Sequence, residues 1–325
     1  MAILVTGGAG YIGSHTVQLL LERGYQVTVA DNLSRGHRHA VDPRWLREVD
    51  ISDAAGMDRV FAERPFDAVI HFAAFIAVGE SVRVPELYFA NNVGGSLSLL
   101  SAMIRHGVKR VVFSSTAAVY GTPASVPIRE DSPFAPVSPY GESKVMVETM
   151  LGWFDRIHSL RSICLRYFNA AGADPQGRLG EEHEPETHLI PLLFRAVRSG
   201  EPVTIFGEDY ATPDGTCIRD YIHVSDLAEA HILAVEVLLA PDTASDAMNV
   251  GTGAGHSVRE VIRAVEDVTG RKVPFVMGPR RDGDPPSLVA DSSKLRGKLG
   301  WNPRHSDLRE IVSTAWQFDE RRRRS

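Results

Sequence analysis

The sequence predicts an α/β protein in which a doubly wound parallel sheet is followed by a smaller α/β lobe. Apolar runs alternate with helical patterns through the first half of the chain, and a glycine-rich turn joins the first run to the first helix. After residue 172 the chain changes to polar loops and shorter apolar segments. We therefore expect one domain over residues 1–172 and a smaller substrate lobe over 173–325, with segments near 217–240 returning to the first domain.

The first strand and helix contain the clearest ligand motif. An apolar run at residues 2–6 ends in G-G-A-G-Y-I-G, a helix follows over 14–23, and a strand over 25–31 ends in Asp31. Glycines permit a tight turn and let the backbone approach a pyrophosphate at the helix N-terminus. Asp31 lies 18 residues after Gly13, where a carboxylate binds a ribose diol and repels a 2′-phosphate. The pattern indicates a Rossmann-type sheet that binds NAD rather than NADP; the alternative is a glycine turn without a ligand.

Apolar runs continue to alternate with helical patterns through the rest of the first domain. This alternation predicts about six strand–helix units, all in the first half of the chain. His71 lies inside an apolar run and is expected to be a packed core residue. Asn91 and Asn92 fall inside a predicted helix, where asparagine is disfavoured, so either one faces a ligand or both face solvent. The expected strands cover residues 47–51, 66–74, 108–116 and 162–172, and the expected helices cover 54–62, 86–106 and 139–158.

A tyrosine and a lysine lie four residues apart at the start of the last of these helices. In V-S-P-Y-G-E-S-K, residues 137–144, Ser138 is placed to cap the helix and Pro139 fits its first position. Tyr140 and Lys144 then share one helix face. A nearby ammonium lowers the pKa of a phenol from about 10, which would let Tyr140 take a proton from a sugar or alcohol hydroxyl. The alternative is an exposed helix face with a surface lysine.

Hydroxyl side chains end the preceding strand. Ser114, Ser115 and Thr116 lie at its carboxyl end, which is the edge where open α/β sheets bind ligands. They are therefore candidates for a hydrogen bond to the hydroxyl that Tyr140 would deprotonate.

The second half of the chain is less regular. A polar loop after Gly172 contains His183 and His188 among glutamates, but nothing else in the pattern completes a metal site, so none is expected. Arg219 and the pair Arg280 and Arg281 are cations available for a second anion, or they form surface ion pairs. Helices are expected over 189–199, 224–239, 257–269 and within 292–323, and strands over 202–206, 248–251 and 273–276.

Composition excludes several classes of partner. The chain has 325 residues, is 43% hydrophobic and 23% charged, and carries a net charge of −6, which gives no reason to expect nucleic acid. No apolar run reaches the ~18 residues of a membrane span, and the N-terminus does not read as a signal peptide. The two cysteines, Cys164 and Cys217, have no metal-like spacing. We expect a reduced, cytoplasmic protein that has no membrane partner.

Eight motifs are distributed along the chain. They are T-G-G-A-G-Y-I-G-S-H, V-I-H-F-A-A, V-G-E-S, N-N-V-G-G, S-P-Y-G-E-S-K, L-R-Y-F-N, D-G-T-C-I-R-D-Y-I-H-V and R-R-D-G-D-P-P. Together they resemble the UDP-glucose (UDP-galactose) 4-epimerase family of extended short-chain dehydrogenase/reductases. The likeness runs from residue 2 to about residue 318, and the last two motifs are its most specific parts.

The resemblance implies a role for each matched residue. Tyr140 would be the catalytic base, Lys144 would lower its pKa and hold the nicotinamide ribose, and Thr116 would bind the sugar hydroxyl. The implied NAD site consists of Gly7, Gly10, Tyr11, Ile12, Gly13, Asp31, Asn32, Asp50, Ile51, Phe72, Ala73, Ala74, Asn91, Ser114, Tyr140, Lys144 and Tyr167. The implied UDP-sugar site consists of Thr116, Tyr140, Phe168, Asn169, His188, Leu189, Arg219, Arg281 and Asp284.

The implied reaction is the reversible C4 epimerisation of UDP-galactose and UDP-glucose through a transient 4-keto sugar and NADH. The resemblance also implies a homodimer in which helices 86–106 and 139–158 of each chain form a four-helix bundle. Three departures qualify it. His188 replaces an asparagine that some relatives have at that position. Ile76 replaces a lysine that is frequent in the family, so NAD is expected to be held less tightly. Leu288 occupies a position that varies in size, so some activity on N-acetylated UDP-sugars is expected.

Four alternatives stay open at this point. Another NAD-dependent epimerase would act on UDP-N-acetylglucosamine or on UDP-glucuronate. A nucleotide-sugar 4,6-dehydratase needs a carboxyl group beside the active-site threonine, whereas Thr116 is followed by Ala117 and Ala118. A nucleotide-sugar decarboxylase is a weaker alternative. A non-catalytic NAD-binding regulator usually lacks the tyrosine and lysine pair, which this chain keeps.

Overall fold

The computed structural model describes residues 1–281 and 283–324, so Asp282 of the R-R-D-G-D-P-P motif lies outside the described residues. The strands form a large sheet, a smaller sheet and a separate pair. They are β1 (Ala2–Thr6), β2 (Gln26–Asp31), β3 (Leu46–Glu48), β4 (Ala68–His71), β5 (Arg110–Ser114), β6 (Arg161–Tyr167), β7 (Asn169–Ala171), β8 (Val203–Phe206), β9 (Ile218–His223), β10 (Asp246–Val250), β11 (Gly255–Ser257), β12 (Phe275–Gly278) and β13 (Ser287–Leu288).

Helices connect most of the strands. They are α1 (Tyr11–Glu22), α2 (Ala54–Ala62), α3 (Val78–Ser81), α4 (Pro85–Tyr88), α5 (Gly95–Arg105), α6 (Pro139–His158), α7 (Leu189–Ser199), α8 (Val224–Leu239), α9 (Val258–Thr269), α10 (Ser293–Leu299) and α11 (Leu308–Arg322). Short 3₁₀ turns lie at Arg38–Ala40 and Ala117–Tyr120, and a π-helical turn lies at Phe89–Gly94. No helix in the described part of the chain is long and apolar enough to cross a membrane.

The large sheet is parallel, and its strand order is β10-β6-β5-β4-β1-β2-β3. The order runs outward from β1 in both directions, which is the doubly wound arrangement, and the switch point lies between β1 and β4. The predicted Rossmann-type fold class is thereby confirmed. The expectation that all its strands come from the first half was wrong, because β10 pairs with β6 as a seventh strand.

Apolar layers cover both faces of this sheet. On one face, Val17 of α1 and Leu227 and Val235 of α8 pack on strand residues such as Ile3 and Val29. On the other face, residues of α2, α5 and α6 pack on the strands. Strands that are covered on both faces are apolar throughout, as in the fully buried run of β1. The helix over 224–239 thus belongs to the sheet of the first domain, although it follows residue 172.

The smaller lobe contains its own sheet and core. In it β9 pairs with β7, β11 and β13, while β8 and β12 form a separate parallel pair. Its core joins α7, α9 and α11 through Leu193, Val261 and Ile311, all of which are buried. The domain boundary at residue 172 stays a prediction.

One predicted helix differs in detail from the structure. The pattern over 86–106 predicts a continuous α-helix, whereas the chain forms α4, a π-helical turn and then α5. The turn contains Asn92, whose buried side chain bonds to the amide and the carbonyl of Phe75 in a neighbouring loop. Helix α6, by contrast, begins with Pro139 as predicted, and Ser138 caps it by accepting from the Gly141 amide at 3.2 Å.

Candidate active site

The glycine turn after β1 lies against the end of β4. Gly7 adopts a φ of +70°, and a Cβ on it would lie 2.5 Å from the Ala73 amide nitrogen. A Cβ on Gly13 would lie 2.3 Å from the Gly7 carbonyl oxygen, so neither position accepts a side chain. At Gly10 the nearest atom would be 3.4 Å away, and no side chain caps α1 there. The turn is therefore tight on its protein side and open at the helix N-terminus, where backbone amides bind phosphate.

Asp31 lies at the end of β2 beside this turn and is buried. Its two carboxylate oxygens accept hydrogen bonds from the Ala9 amide at 2.9 Å and the Leu33 amide at 2.8 Å. Burial raises the pKa of Asp31, and these two hydrogen bonds oppose the shift. Since a carboxylate has about four acceptor positions, this anchored group keeps capacity for a ribose diol.

The remaining expected NAD residues surround these groups. Asn32 donates to the Asp50 carboxylate at 2.7 Å, and Ile51 is buried next to Gly95. The Tyr11 hydroxyl donates to the Gly172 carbonyl at 2.6 Å, which connects the start of α1 to the loop after β7. Half-buried positions in the set are Ile12, Phe72, Ala73, Ala74, Asn91 and Tyr167, whereas Ile76 is 41% exposed.

Tyr140 and Lys144 are both buried at the carboxyl edge of the sheet, so the surface-lysine alternative is wrong. The Lys144 ammonium donates to the Ser114 carbonyl at 2.8 Å and lies 5.9 Å from the centre of the Tyr140 ring. The lysine is thus fixed between the end of β5 and the tyrosine. This arrangement follows from the four-residue spacing and the cap at Ser138, which together turn both side chains toward the sheet.

The pKa values differ from the sequence-based expectation. Burial raises the pKa of Tyr140 above its ordinary value, with a smaller contribution from Tyr167, while a hydrogen bond with Thr116 opposes the shift. Burial also lowers the pKa of Lys144 to about 7, and the Glu148 carboxylate opposes that shift. The pKa of Tyr140 is thus raised rather than lowered as expected, because desolvation of the buried phenol is the largest contribution.

The three hydroxyl groups after β5 have different environments. The Ser114 hydroxyl pairs with the Tyr167 hydroxyl at 2.8 Å. The Ser115 hydroxyl donates to Glu148 at 2.5 Å, away from Tyr140. Thr116 is buried and bonds with Tyr140. Of the three candidates, Thr116 is thus the one positioned beside the phenol.

Sequence reasoning missed Glu148, and it noticed Asn92 without identifying its partners. Glu148 continues the helix face of Tyr140 and Lys144 and forms a buried ion pair with Arg166 at 2.6 Å. The spacing of four residues from Lys144 was the available signal. Asn92 donates to the Ser143 hydroxyl at 3.0 Å and bonds to both the amide and the carbonyl of Phe75, so it holds the loop after β4 against α6. Asn91 donates to Asn92 and is half-buried.

The expected UDP-sugar residues lie at the junction of the two sheets. Asn169 is exposed at the start of β7, opposite Tyr221 of β9, and it lines one pocket with His188 and Leu189 at the start of α7. Phe168 is buried in a cluster with Tyr120, against which the half-buried Leu288 packs.

The basic residues of the second half lie on neighbouring segments. Arg219 is nearly buried on β9 and forms an ion pair with Asp284. The Arg281 guanidinium lies 4.1 Å from the centre of the Phe206 ring. Arg280 pairs with Asp209 at 2.6 Å and lies over Tyr210, so it is engaged at the surface. The two interpretations of the arginines, a surface ion pair or a cation available for a second anion, therefore apply to different residues. Arg280 is in a surface ion pair, whereas Arg219 is enclosed.

The polar loop between β7 and α7 brings four side chains together. Glu181, His183, Glu186 and His188 each offer one nitrogen or oxygen atom of a metal-binding type, and these atoms lie within 4.8 Å of one another. His188 contacts Glu181 at 2.8 Å and Glu186 at 3.0 Å. Although burial opposes it, these carboxylates raise the pKa of His188 to about 10. The two glutamates complete the group that the histidine spacing alone left incomplete.

Comparison with known proteins relates the chain to one family. Residues 3–251 match the NAD dependent epimerase/dehydratase family. A UDP-glucose 4-epimerase of Halalkalibacterium halodurans is 53% identical over 319 residues, or 98% of this chain and 95% of the relative. A crystal structure of UDP-glucose 4-epimerase from Brucella ovis in complex with NAD has a TM-score of 0.94 at 48% identity, covering 98% of each chain. One from Bifidobacterium longum in complex with NAD⁺ and UDP has a TM-score of 0.92 at 39% identity, covering 99% and 98%. The relationship predicted from the motifs is confirmed.

Proposed function

The chain belongs to the NAD dependent epimerase/dehydratase family, and from this premise we propose that it catalyses the reversible C4 epimerisation of UDP-glucose and UDP-galactose. The observation that carries the proposal is the buried pair of Tyr140 and Lys144 beside Thr116 at the carboxyl edge of the sheet. Similarity over nearly the whole chain to proteins named UDP-glucose 4-epimerase favours this reaction over the other epimerase, dehydratase, decarboxylase and regulator alternatives.

The cofactor is NAD, and the residues present fit it. The glycine turn excludes a side chain at Gly7 and Gly13 yet leaves the start of α1 open to a pyrophosphate. Asp31 is fixed by backbone amides in a position that favours a ribose diol over a 2′-phosphate. When bound, NAD supplies the acceptor and later the donor of the C4 hydride, together with one positive charge.

Tyr140 would exchange the proton of the reaction. Its phenolate oxygen would take the proton from the C4 hydroxyl as the carbonyl forms, and the phenol would return it when the hydroxyl re-forms on the other face. Because burial holds the Tyr140 pKa high in the protein alone, the phenolate needs added positive charge, which the cofactor and a protonated Lys144 would provide. Thr116 would orient the same hydroxyl.

The substrate side requires a firm hold on the diphosphate and a looser hold on the sugar. Arg219 would bind the nucleoside diphosphate, since a guanidinium binds phosphate oxygens bidentately, and Arg281 and Asn169 would support it. The ion pair of Arg219 with Asp284 fixes the guanidinium in advance. With the diphosphate held there, the 4-keto sugar can turn over and present its opposite face to the nicotinamide.

A direct assay tests the proposal. Purified protein is incubated with UDP-galactose without added NAD, and UDP-glucose is measured. Conversion establishes the reaction and shows that cofactor is retained through purification. Conversion only after NAD is added also supports the reaction and indicates the weak retention expected from Ile76. Absence of UDP-glucose with NAD present would contradict the proposal.

We further propose that the protein is a cytoplasmic homodimer. Helices α5 and α6 carry exposed apolar side chains on their outer faces, including Leu97, Met146, Trp153 and Ile157. Large exposed apolar patches mark interaction surfaces, and pairing with a second copy would cover this one. Both cysteines are buried as free thiols, which suits a reducing compartment.

A further inference from the structure

A second cluster of potential ligands lies outside the proposed chemistry. Four residues of the loop between β7 and α7 bring possible ligand atoms within 4.8 Å of one another: Glu181, His183, Glu186 and His188. We call them the loop cluster. The side chains of Glu181 and Glu186 are only 9% and 16% exposed, which is unusual for two neighbouring carboxylates. Tyr11 encloses the cluster on one side, with its ring 6.3 Å from that of His183.

Hydrogen bonding within the loop cluster is incomplete. The Glu186 Oε1 atom accepts from the amides of Thr187 and His188, both at 2.7 Å, and its other oxygen lies 3.9 Å from His183. His183 Nδ1 is buried and lies 3.2 Å from the Glu181 carboxylate, in poor alignment for a hydrogen bond. A buried polar atom that is poorly satisfied calls for an explanation. A metal ion among the four side chains provides one, because it would bind the imidazole lone pair directly.

We propose that the loop cluster is a binding site for one divalent transition-metal ion of the zinc type. Two imidazole nitrogens and two carboxylate oxygens are the ligand types and the number that zinc prefers. Tetrahedral zinc holds such atoms roughly 3.4 Å apart, so the present spread of at most 4.8 Å requires only a small inward shift. Two carboxylates also match the charge of the ion once the His188 imidazole has released the proton that these carboxylates favour in the metal-free protein.

The position of the site suggests what the ion does. Glu181 and His188 line the same pocket as Asn169 and Leu189, and His188 immediately precedes α7. A metal would therefore fix the loop that forms one wall of this pocket. It would also hold His188 through Nδ1 and leave Nε2 outside the ligand set. The link to a UDP-sugar pocket rests on the proposed function, but metal binding itself does not.

The alternative is that the cluster consists only of histidine–glutamate ion pairs. Those contacts exist, and His188 accounts for most of them. They include His183, whose Nδ1 lies 3.2 Å from Glu181 and 3.9 Å from Glu186, but they leave that nitrogen without a well-aligned hydrogen bond. The experiment must therefore ask whether His183 contributes to metal binding.

Cobalt is a suitable probe because it substitutes for zinc and absorbs visible light. The full chain, purified without a metal-affinity tag and treated with a chelator, is titrated with Co²⁺ and then with Zn²⁺. We expect visible bands that saturate at one ion per chain and disappear on Zn²⁺ addition. The variants His183→Ala and Glu186→Gln are expected to bind Co²⁺ at least about tenfold more weakly. His39→Ala is the matched control, since His39 pairs with the adjacent Glu182 and should bind like wild type.

The titrations distinguish a metal site from a cluster that consists only of histidine–glutamate ion pairs. Circular dichroism of each metal-free variant checks that it folds, and if His183→Ala does not fold, Glu186→Gln decides. Absence of saturable binding in the wild type would overturn the proposal, and so would equal affinity in the folded variants. Because the readout is metal binding, it gives the same answer whether or not the protein converts UDP-galactose.

Discussion

At the scale of single residues, removal of the Tyr140 hydroxyl is the most direct test of the proposed chemistry. Tyr140→Phe removes one oxygen from a buried site and retains the ring, so the fold should persist. We expect the epimerisation rate to fall by about 10²–10⁴, the contribution typical of a positioned acid–base group. The measurement is kcat with UDP-galactose in the presence of NAD. Tyr25→Phe is the control, because the Tyr25 hydroxyl bonds only to Glu236 at the surface. A rate near wild type for Tyr140→Phe would exclude the tyrosine as the base.

Lys144 should make stability depend on pH. Its pKa is about 7 in the folded protein, against 10.5 for a free lysine. Between these values the unfolded chain binds a proton that the folded chain does not, so the free energy of unfolding should rise with pH. The Lys144 contribution is at most about 1.4 kcal/mol per pH unit.

Urea unfolding at several pH values between 7 and 10 measures this slope. Lys144→Met should lose the contribution, whereas Lys272→Met, which removes an exposed ammonium, should keep it. An identical slope in wild type and Lys144→Met would contradict the low pKa.

These two residues also show what sequence reasoning can reach at this scale. The spacing and the cap place Tyr140 and Lys144 on one face, and the structure has them there. The direction of the pKa shifts of Tyr140 and Lys144 was not predictable from the same stretch of sequence. It depends on burial, which is set by β5, Tyr167 and the other elements packed around α6, and no local pattern reports how completely they exclude water.

At the scale of elements, Asn92 connects three segments. Its side chain bonds to the Phe75 amide at 2.8 Å, the Phe75 carbonyl at 3.0 Å and the Ser143 hydroxyl at 3.0 Å. Asn92→Leu would leave the Phe75 amide and carbonyl without this partner, at a cost of about 1–3 kcal/mol for each buried group, whereas Ser143 would keep its bond to the Tyr140 carbonyl. We expect a lower midpoint of urea unfolding, whereas Asn302→Ala, at an exposed site, should have little effect. Equal midpoints would mean that the connection does not stabilise the fold.

The same residue explains why one element was predicted imperfectly. Apolar spacing favours a continuous helix over 86–106, and only the presence of asparagine argued against it. The π-helical turn at Phe89–Gly94 occurs where Asn92 turns its side chain toward Phe75 and Ser143. Those partners are 17 and 51 residues away, so a local pattern could not identify them. Periodicity was enough to predict that this segment is helical, whereas the irregular turn within it depends on tertiary contacts.

At the scale of the molecule, the first half of the chain builds most of the large sheet and the second half completes it. Strand β10 and helix α8 return to that sheet after the chain has entered the smaller lobe. The glycine motif and the order of elements were enough to predict the doubly wound sheet. The seventh strand was not predictable, because nothing in residues 246–250 identifies β6 as their partner. The loop cluster was missed for the same reason, since the loop conformation brings its glutamates to the histidines.

The outer faces of α5 and α6 provide the last prediction. Trp153 and Ile157 are 57% and 69% exposed on α6, and Leu97 is 46% exposed on α5, while the inner faces of the same helices pack on the sheet. A helix that is apolar on both sides is typical of burial on both sides. We therefore expect the wild-type protein to sediment as a dimer.

Trp153→Glu should sediment as a monomer, because a carboxylate at the centre of an apolar interface is costly to desolvate. Val276→Glu, the same change at an exposed apolar position on β12, should remain dimeric. A wild-type monomer would contradict the proposed dimer, and a Trp153→Glu dimer of undiminished affinity would place the interface elsewhere.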